Sequence, residues 1–149
     1  MAIPTSQRAV VGLPIAQPKK EEYIFYQGER FQIEFYFTET GKIPAKEYLE
    51  DISLDVRVKM ATLVKYIAEH GKIFDITKFR MVDSKEKIFE FKPLQHRFFN
   101  FFYEGGKIII TNGYMKKSQK VSRRDLERAK ELKKDYICRV KGGGYYGEN

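Results

Sequence analysis

An α+β fold is predicted for this chain of 149 residues. It comprises a small antiparallel sheet, made of an N-terminal strand and a C-terminal meander, packed by a helical hairpin and followed by a basic C-terminal helix. Three observations predict it. Strand-like runs occur at Phe31–Phe37 and again between Ile88 and Gly113. Two helical patterns, with their own start and stop residues, fill the interval from Pro44 to His70, and a third follows Ser122. The elements fall in blocks without βαβ alternation, which argues against a doubly wound parallel sheet.

Residues 1–22 read as an irregular leader punctuated by Pro4, Pro14 and Pro18. With only Arg8 ahead of a broken apolar stretch, they make a poor secretory signal. Tyr23–Tyr26 and Phe31–Phe37 flank a turn-like Gln27-Gly28-Glu29 and can pair as a hairpin. Phe31, Ile33, Phe35 and Phe37 alternate with other residues, the period of a strand with one face buried. After the break at Thr38-Glu39-Thr40-Gly41, Pro44 suits the first position of a short helix through Leu49. Ser53 is placed to cap a longer helix through His70, and Gly71 to end it. Val56, Met60, Leu63 and Ile67 share one stripe of that helix and are assigned to the core.

Lys72–Lys87 is mixed, and no strand is assigned to it. Ile88–Lys92, His96–Tyr103 and Lys107–Gly113 form the meander, with Glu104-Gly105-Gly106 as the turn between the last two and Asn112-Gly113 as a stop. Ser122 and Asp125 have capping-box spacing for the final helix. Leu126, Ala129, Leu132 and Tyr136 line one face of it, while Arg123, Arg124, Arg128, Lys130, Lys133 and Lys134 cover the rest. The division expected is a leader at 1–22, one domain at 23–141 and a flexible glycine-rich tail at 142–149.

The 12 Phe and 10 Tyr exclude a disordered chain despite 32% charged residues. No apolar run approaches the roughly 20 residues that span a bilayer. One cysteine, Cys138, makes no internal disulfide, so a reducing cytoplasm is the expected location. The net charge of +8 is unevenly placed: Lys107 to Lys141 holds 12 Lys and Arg against 4 Asp and Glu, and the remainder of the chain is neutral. Such asymmetry points to a polyanionic partner, with a solvated helical face as the plain alternative.

Phosphate-binding loops, dinucleotide fingerprints, nucleophile elbows and Cys-x-x-Cys pairs are absent from the sequence, and neither a metal nor a cofactor is expected. What the meander does offer is cations and aromatics: Lys92, His96, Arg97, Tyr103, Tyr114, Lys116, Lys117 and Lys120. His96 and Arg97 are adjacent in a strand and should point to opposite faces unless a bulge intervenes. Such a set can cut RNA without a metal. A base frees the ribose 2′-hydroxyl to attack the adjacent phosphate, cations steady the growing charge, and an acid protonates the leaving 5′-oxygen. Crowded cations lower the pKa of one lysine toward that of a neutral-pH base. A basic sheet that only binds RNA presents the same residues, and a surface ion pair with Glu90 is the plain alternative for Arg97.

Ile88-Phe89-Glu90-Phe91-Lys92, His96-Arg97-Phe98-Phe99, Gly113-Tyr114-Met115-Lys116-Lys117-Ser118-Gln119-Lys120 and the helix from Arg123 to Lys130 together resemble the RelE/ParE toxin superfamily, in particular its phage-derived, HigB-like branch. The resemblance covers roughly Phe31 to Ile137. It implies a small antiparallel sheet packed by a helical hairpin. It also implies a metal-independent endoribonuclease that cleaves mRNA in the ribosomal A site and is restrained by a cognate antitoxin. Lys92 and Arg97 would be phosphate-side cations and Tyr114 a contact to the scissile site, with Lys117 beside them and His96 as an acid–base candidate. Lys116, Lys120, Arg123 and Arg124 would hold RNA. Lys92 stands where the family has Arg, and the two are not interchangeable for bidentate phosphate contact. A non-catalytic binding protein and a ParE-like gyrase inhibitor are the alternatives of the same fold.

Overall fold

The computed structural model of the protein describes residues 17–147. One helical turn, α1 (Lys20–Tyr23), leads into β1 (Ile24–Gln27) and β2 (Gln32–Phe35). Helices α2 (Pro44–Glu50) and α3 (Leu54–His70) follow, then β3 (Phe79–Asp83), β4 (Ile88–Phe91), β5 (His96–Tyr103), β6 (Lys107–Met115) and α4 (Arg123–Lys141). The class is α+β, as expected. The strands form one sheet in the order β1-β2-β6-β5-β4-β3. Neighbours are antiparallel except β2 and β6, which run parallel with Ile33 beside Ile108 and Phe35 beside Ile110. The sheet is therefore mixed rather than antiparallel throughout. Relative direction is set by the long crossover from β2 to β6, which leaves no mark on the local side-chain period.

Most element ends follow their local chemistry. Pro44 opens α2, where its missing N–H leaves no bond unmade. Gly71 closes α3 at φ 88°, in the left-handed region that favours glycine. Ser122 caps α4 by accepting the Asp125 amide, but its own N–H goes to Tyr114 Oη rather than to Asp125. Ser53 does not cap α3; its hydroxyl donates to Asp55 instead.

Two elements depart from expectation. The mixed stretch Lys72–Lys87 contains β3, an edge strand whose period is broken by an irregularity between Met81 and Asp83. Edge strands carry charges that blunt them, and those charges hide the strand signal. Asn112-Gly113 does not stop β6, which continues to Met115. A β-carbon at Gly113 would sit 2.8 Å from the Tyr48 ring and 2.9 Å from that of Phe98. Glycine here permits close approach of α2 to the sheet, and makes no turn.

Consecutive β5 residues point to opposite faces. Phe98 meets Tyr48 of α2 on one face, with ring centroids 5.6 Å apart, and Phe101 meets Tyr136 of α4 on the other at 5.5 Å. β2 is enclosed likewise: Ile33, Glu34, Phe35 and Tyr36 are all buried, against the expectation of one buried face. Part of that cover comes from the end of the chain. Tyr145 is fully buried, stacks on Phe37 at 4.0 Å and accepts the Phe37 N–H at 2.9 Å. Arg139 lies over its ring at 4.6 Å, and the Tyr146 hydroxyl donates to buried Glu34 at 2.7 Å. The glycines suggest a loose tail, but the two tyrosines after them make it a strap. Of the leader and tail, residues 1–16 and 148–149 lie outside the described residues.

Replacing Tyr145 by Ala should cost about 3–5 kcal/mol, the usual range for deleting a buried aromatic ring. Denaturant unfolding reads this directly: a strap lowers the midpoint strongly, whereas a loose tail leaves it unmoved.

Candidate nucleic-acid interface

Because β4, β5 and β6 are antiparallel neighbours, the end of β4, the start of β5 and the end of β6 meet at one end of the sheet. That is how residues far apart in sequence converge. Arg97 lies opposite Tyr114 and His96 opposite Met115. The Lys116 N–H donates to the Gln95 carbonyl at 2.8 Å, tying the two loops together. Lys117 and Lys120 follow in the exposed loop, and Arg123 and Arg124 open α4, both exposed. Cations in the first turn oppose the helix dipole, which favours negative charge there.

Lys92 sits among cations. Burial holds its ammonium below the ordinary lysine range, and the charges of Arg80, Arg97 and Lys116 push it further down, partly offset by Glu90. Its Nζ donates to the Ile76 carbonyl at 3.1 Å. Arg97 uses one terminal nitrogen for two carbonyls, Leu94 and His96, each at 2.8 Å. The ion pair weighed between Arg97 and Glu90 is not made: Glu90 is fully buried and pairs with Arg80 at 2.8 Å. The second Glu90 oxygen and Arg97 Nε are buried without a hydrogen-bond partner in the protein. Leu94, between the two cations, has φ 56°, a left-handed backbone seldom adopted by leucine.

His96 faces away from Arg97, as strand alternation requires. It is buried, and its Nδ1 lies 2.6 Å from the Tyr48 hydroxyl. Burial and the Arg97 charge hold its pKa below the ordinary 6.5, against a smaller pull from Asp55. The imidazole is therefore neutral at neutral pH and shares this hydrogen bond with Tyr48, whose phenol burial pushes up to about 12. Tyr114 is buried and stacks on Phe99 at 5.4 Å, and burial keeps its phenol protonated.

The residues from Lys92 to Lys120 do not line one hollow. Tyr114, Lys117, Lys120 and Arg124 line a groove of about 530 Å³ together with Tyr48 of α2. Lys92 lines a different groove of about 940 Å³ with Pro93, Leu94 and the outer side of α3. Arg97, His96, Lys116 and Arg123 line neither. The set is one electrostatic cluster spread around one end of the sheet, opening on two concavities. Sequence reasoning missed Arg80, because β3 was not recognised and Glu90 then lacked its cross-strand partner. It also missed Tyr48, whose signal is only an aromatic residue in a short helix. Among the described residues no three His, Cys, Asp or Glu side chains gather as metal ligands, and no helix is long and apolar enough to cross a membrane.

The lowered His96 pKa gives a signed prediction. Above pH 6.5 the imidazole is neutral in both states, so its contribution to stability is constant and at its maximum there. As pH falls below 6.5 the unfolded chain takes the proton first, and stability declines until the folded histidine also titrates. Unfolding free energy measured across this window should fall with acid in the parent chain and fall less in His96→Gln.

A family model described as Phage derived protein Gp49-like matches residues 47–134, more than half of the chain, running from α2 into α4 and including Arg80, Lys92, Arg97, Lys116, Lys117, Lys120, Arg123 and Arg124. No curated protein matches the chain. The matched segment carries the second half of α2, all of α3, the four-stranded β3–β6 part of the sheet and most of the basic helix. The chain thus belongs to the Gp49-like family of phage-derived proteins, within the RelE/ParE-like toxin superfamily.

Proposed function

We propose that the chain is the toxin of a type II toxin–antitoxin pair of the HigB-like branch, a metal-independent endoribonuclease that cuts mRNA in the ribosomal A site and acts in the cytoplasm until a cognate antitoxin restrains it. The observation that carries this reading is the cluster of Arg80, Lys92, Arg97 and Lys116 at one end of the sheet, in which burial and the neighbouring charges lower the Lys92 pKa. In this reading Lys92 accepts the 2′-hydroxyl proton. The freed oxygen attacks the adjacent phosphorus, a 2′,3′-cyclic phosphate forms, and the 5′-oxygen leaves with a proton. Arg97 and Arg80 offset the charge that grows on the phosphate oxygens, the kind of contribution that dominates such reactions. Lys117 acts from the separate groove that it shares with Tyr114, while Lys116, Lys120, Arg123 and Arg124 hold the flanking strand. Tyr114, protonated by virtue of its burial, is the candidate for the proton delivered to the leaving oxygen, whereas His96, with a lowered pKa and facing away from Arg97, is not placed to supply it.

A second reading has its own observation. Lys92 opens onto a different groove from Tyr114 and Lys117, a division that suits a protein which binds RNA or the ribosome without cutting it. A ParE-like action on gyrase is tested separately, by supercoiling.

Primer extension on message incubated with ribosomes and the purified protein should show codon-phased cuts. Lys117→Ala and Arg97→Ala should each lower cleavage by about 10²–10³, the usual loss for one charge-stabilising donor, with the thermal midpoint retained. Intact message under a translation arrest sinks the nuclease, and wild-type cleavage by both variants sinks the site.

Binding to single-stranded RNA should depend on salt, with a log–log slope near −2 if about three phosphates are neutralised. Filter binding between low and physiological salt measures it.

A further inference from the structure

Glu90 and Arg97 each hold one polar atom out of use. Glu90 is fully buried; its Oε2 accepts from Arg80 Nε at 2.8 Å, while Oε1 is without a partner in the protein. Arg97 spends Nη1 on the Leu94 and His96 carbonyls, each at 2.8 Å, and its buried Nε is likewise unpaired. The two side chains belong to one face of the sheet, because Glu90 lies opposite Phe99 and Arg97 stands two residues before Phe99. Diagonal neighbours of this kind are within reach of long side chains. Burial raises the Tyr114 pKa, and Glu90 adds to that while Arg97 opposes it, so both charges act on one ring. Two buried atoms of opposite charge, both unpaired and on neighbouring sites of one face, require a reason.

The shape of the guanidinium supplies one. Arginine grips a phosphate with two parallel N–H bonds, from the Nη1–Nη2 end or the Nε–Nη2 side of its fork. Here Nη1 is taken and Nε is buried, so neither pair is free. One of the carbonyls holding Nη1 belongs to Leu94, whose φ of 56° is a conformation leucine seldom adopts. We propose that Glu90 is a positioning residue for the RNA phosphate: Arg97 leaves the two carbonyls, donates Nε to the free Glu90 oxygen and turns its Nη1–Nη2 end to the phosphate. The observed arrangement is then the resting one. Without a phosphate the exchange gives up two carbonyl bonds for one to a carboxylate. With it, three bonds to anions replace two to neutral carbonyls, and bonds to anions are the stronger kind. Glu90 keeps Arg80 on its other oxygen throughout, so one buried carboxylate sets the spacing of two guanidinium groups. The inference rests on the reading of Arg97 as a phosphate-side cation and adds the device that prepares it.

The probe is a single-stranded RNA with 2′-methoxy groups, which lacks the hydroxyl needed for cleavage. It is added to the full chain carrying nitrogen-labelled arginine, with the Arg97 Nε–H signal assigned by its loss in Arg97→Lys. RNA should move that signal and slow its exchange with water. Glu90→Gln should abolish the movement and weaken binding tenfold or more, the loss expected for one bond to a charged group. Arg97→Lys keeps the charge but has no Nε–H, so in that background Glu90→Gln should weaken binding less than twofold. An equal loss in both backgrounds overturns the inference and leaves Glu90 only its bond to Arg80. If Glu90→Gln does not fold, the Arg97 signal of the parent chain decides alone. RNA bound with that signal unmoved overturns the inference and leaves the interface standing, whereas a parent chain that binds no RNA overturns both.

Discussion

Strand β5 points aromatic rings in both directions, and that obliges the sheet to be covered twice. Phe98 on one face and Phe99 and Phe101 on the other are fully buried, which no single helical layer can achieve. Helix α2 closes over Phe98 where Gly113 lets it approach, and α4 closes over Phe101 through Tyr136. With both faces occupied, the cations are left with the sheet end, the loop that follows it and the outer side of α4. The position of the charged site is thus a consequence of where the rings are.

Electrostatics at that end are unbalanced by design of the packing. Three cations, Arg80, Arg97 and Lys116, act on Lys92, and Glu90, the anion in their midst, is buried and committed to Arg80. Like charges disfavour the protonated form of the member most easily deprotonated, and lysine yields where arginine does not. Lys92, partly buried and surrounded by these charges, is the lysine of this cluster whose pKa is lowered. The exposed loop from Lys116 to Lys120 is different in kind: its charges meet water and act at longer range, subject to screening by salt.

Much of the fold is legible in the sequence because particular residues act alone. Pro44, Gly71, Gly105 and Ser122 each mark an element end through a property of one side chain or its absence. What is not legible depends on a partner far away. Gly113 looks like a strand stop until Tyr48 is seen against it. Arg80 looks like one charge in a mixed stretch until Glu90 is found beside it, and Tyr145 looks like part of a loose tail until Phe37 and Arg139 are in place. The parallel pairing of β2 and β6 has the same origin. For the site, convergence of Lys92, His96, Arg97 and Tyr114 follows from antiparallel connection alone, whereas the division between two grooves depends on how α2 and α3 lie over the sheet end.

That parallel pairing has a consequence for the order in which the chain can fold. β2 is bonded on one side to its hairpin partner β1, and on the other only to β6, which is synthesised after every intervening helix and strand. Until then one edge of the strand is open. Contacts of such high sequence separation close slowly and late. A half-made chain accordingly carries an unpaired strand edge that favours aggregation until β6, α4 and the strap have emerged.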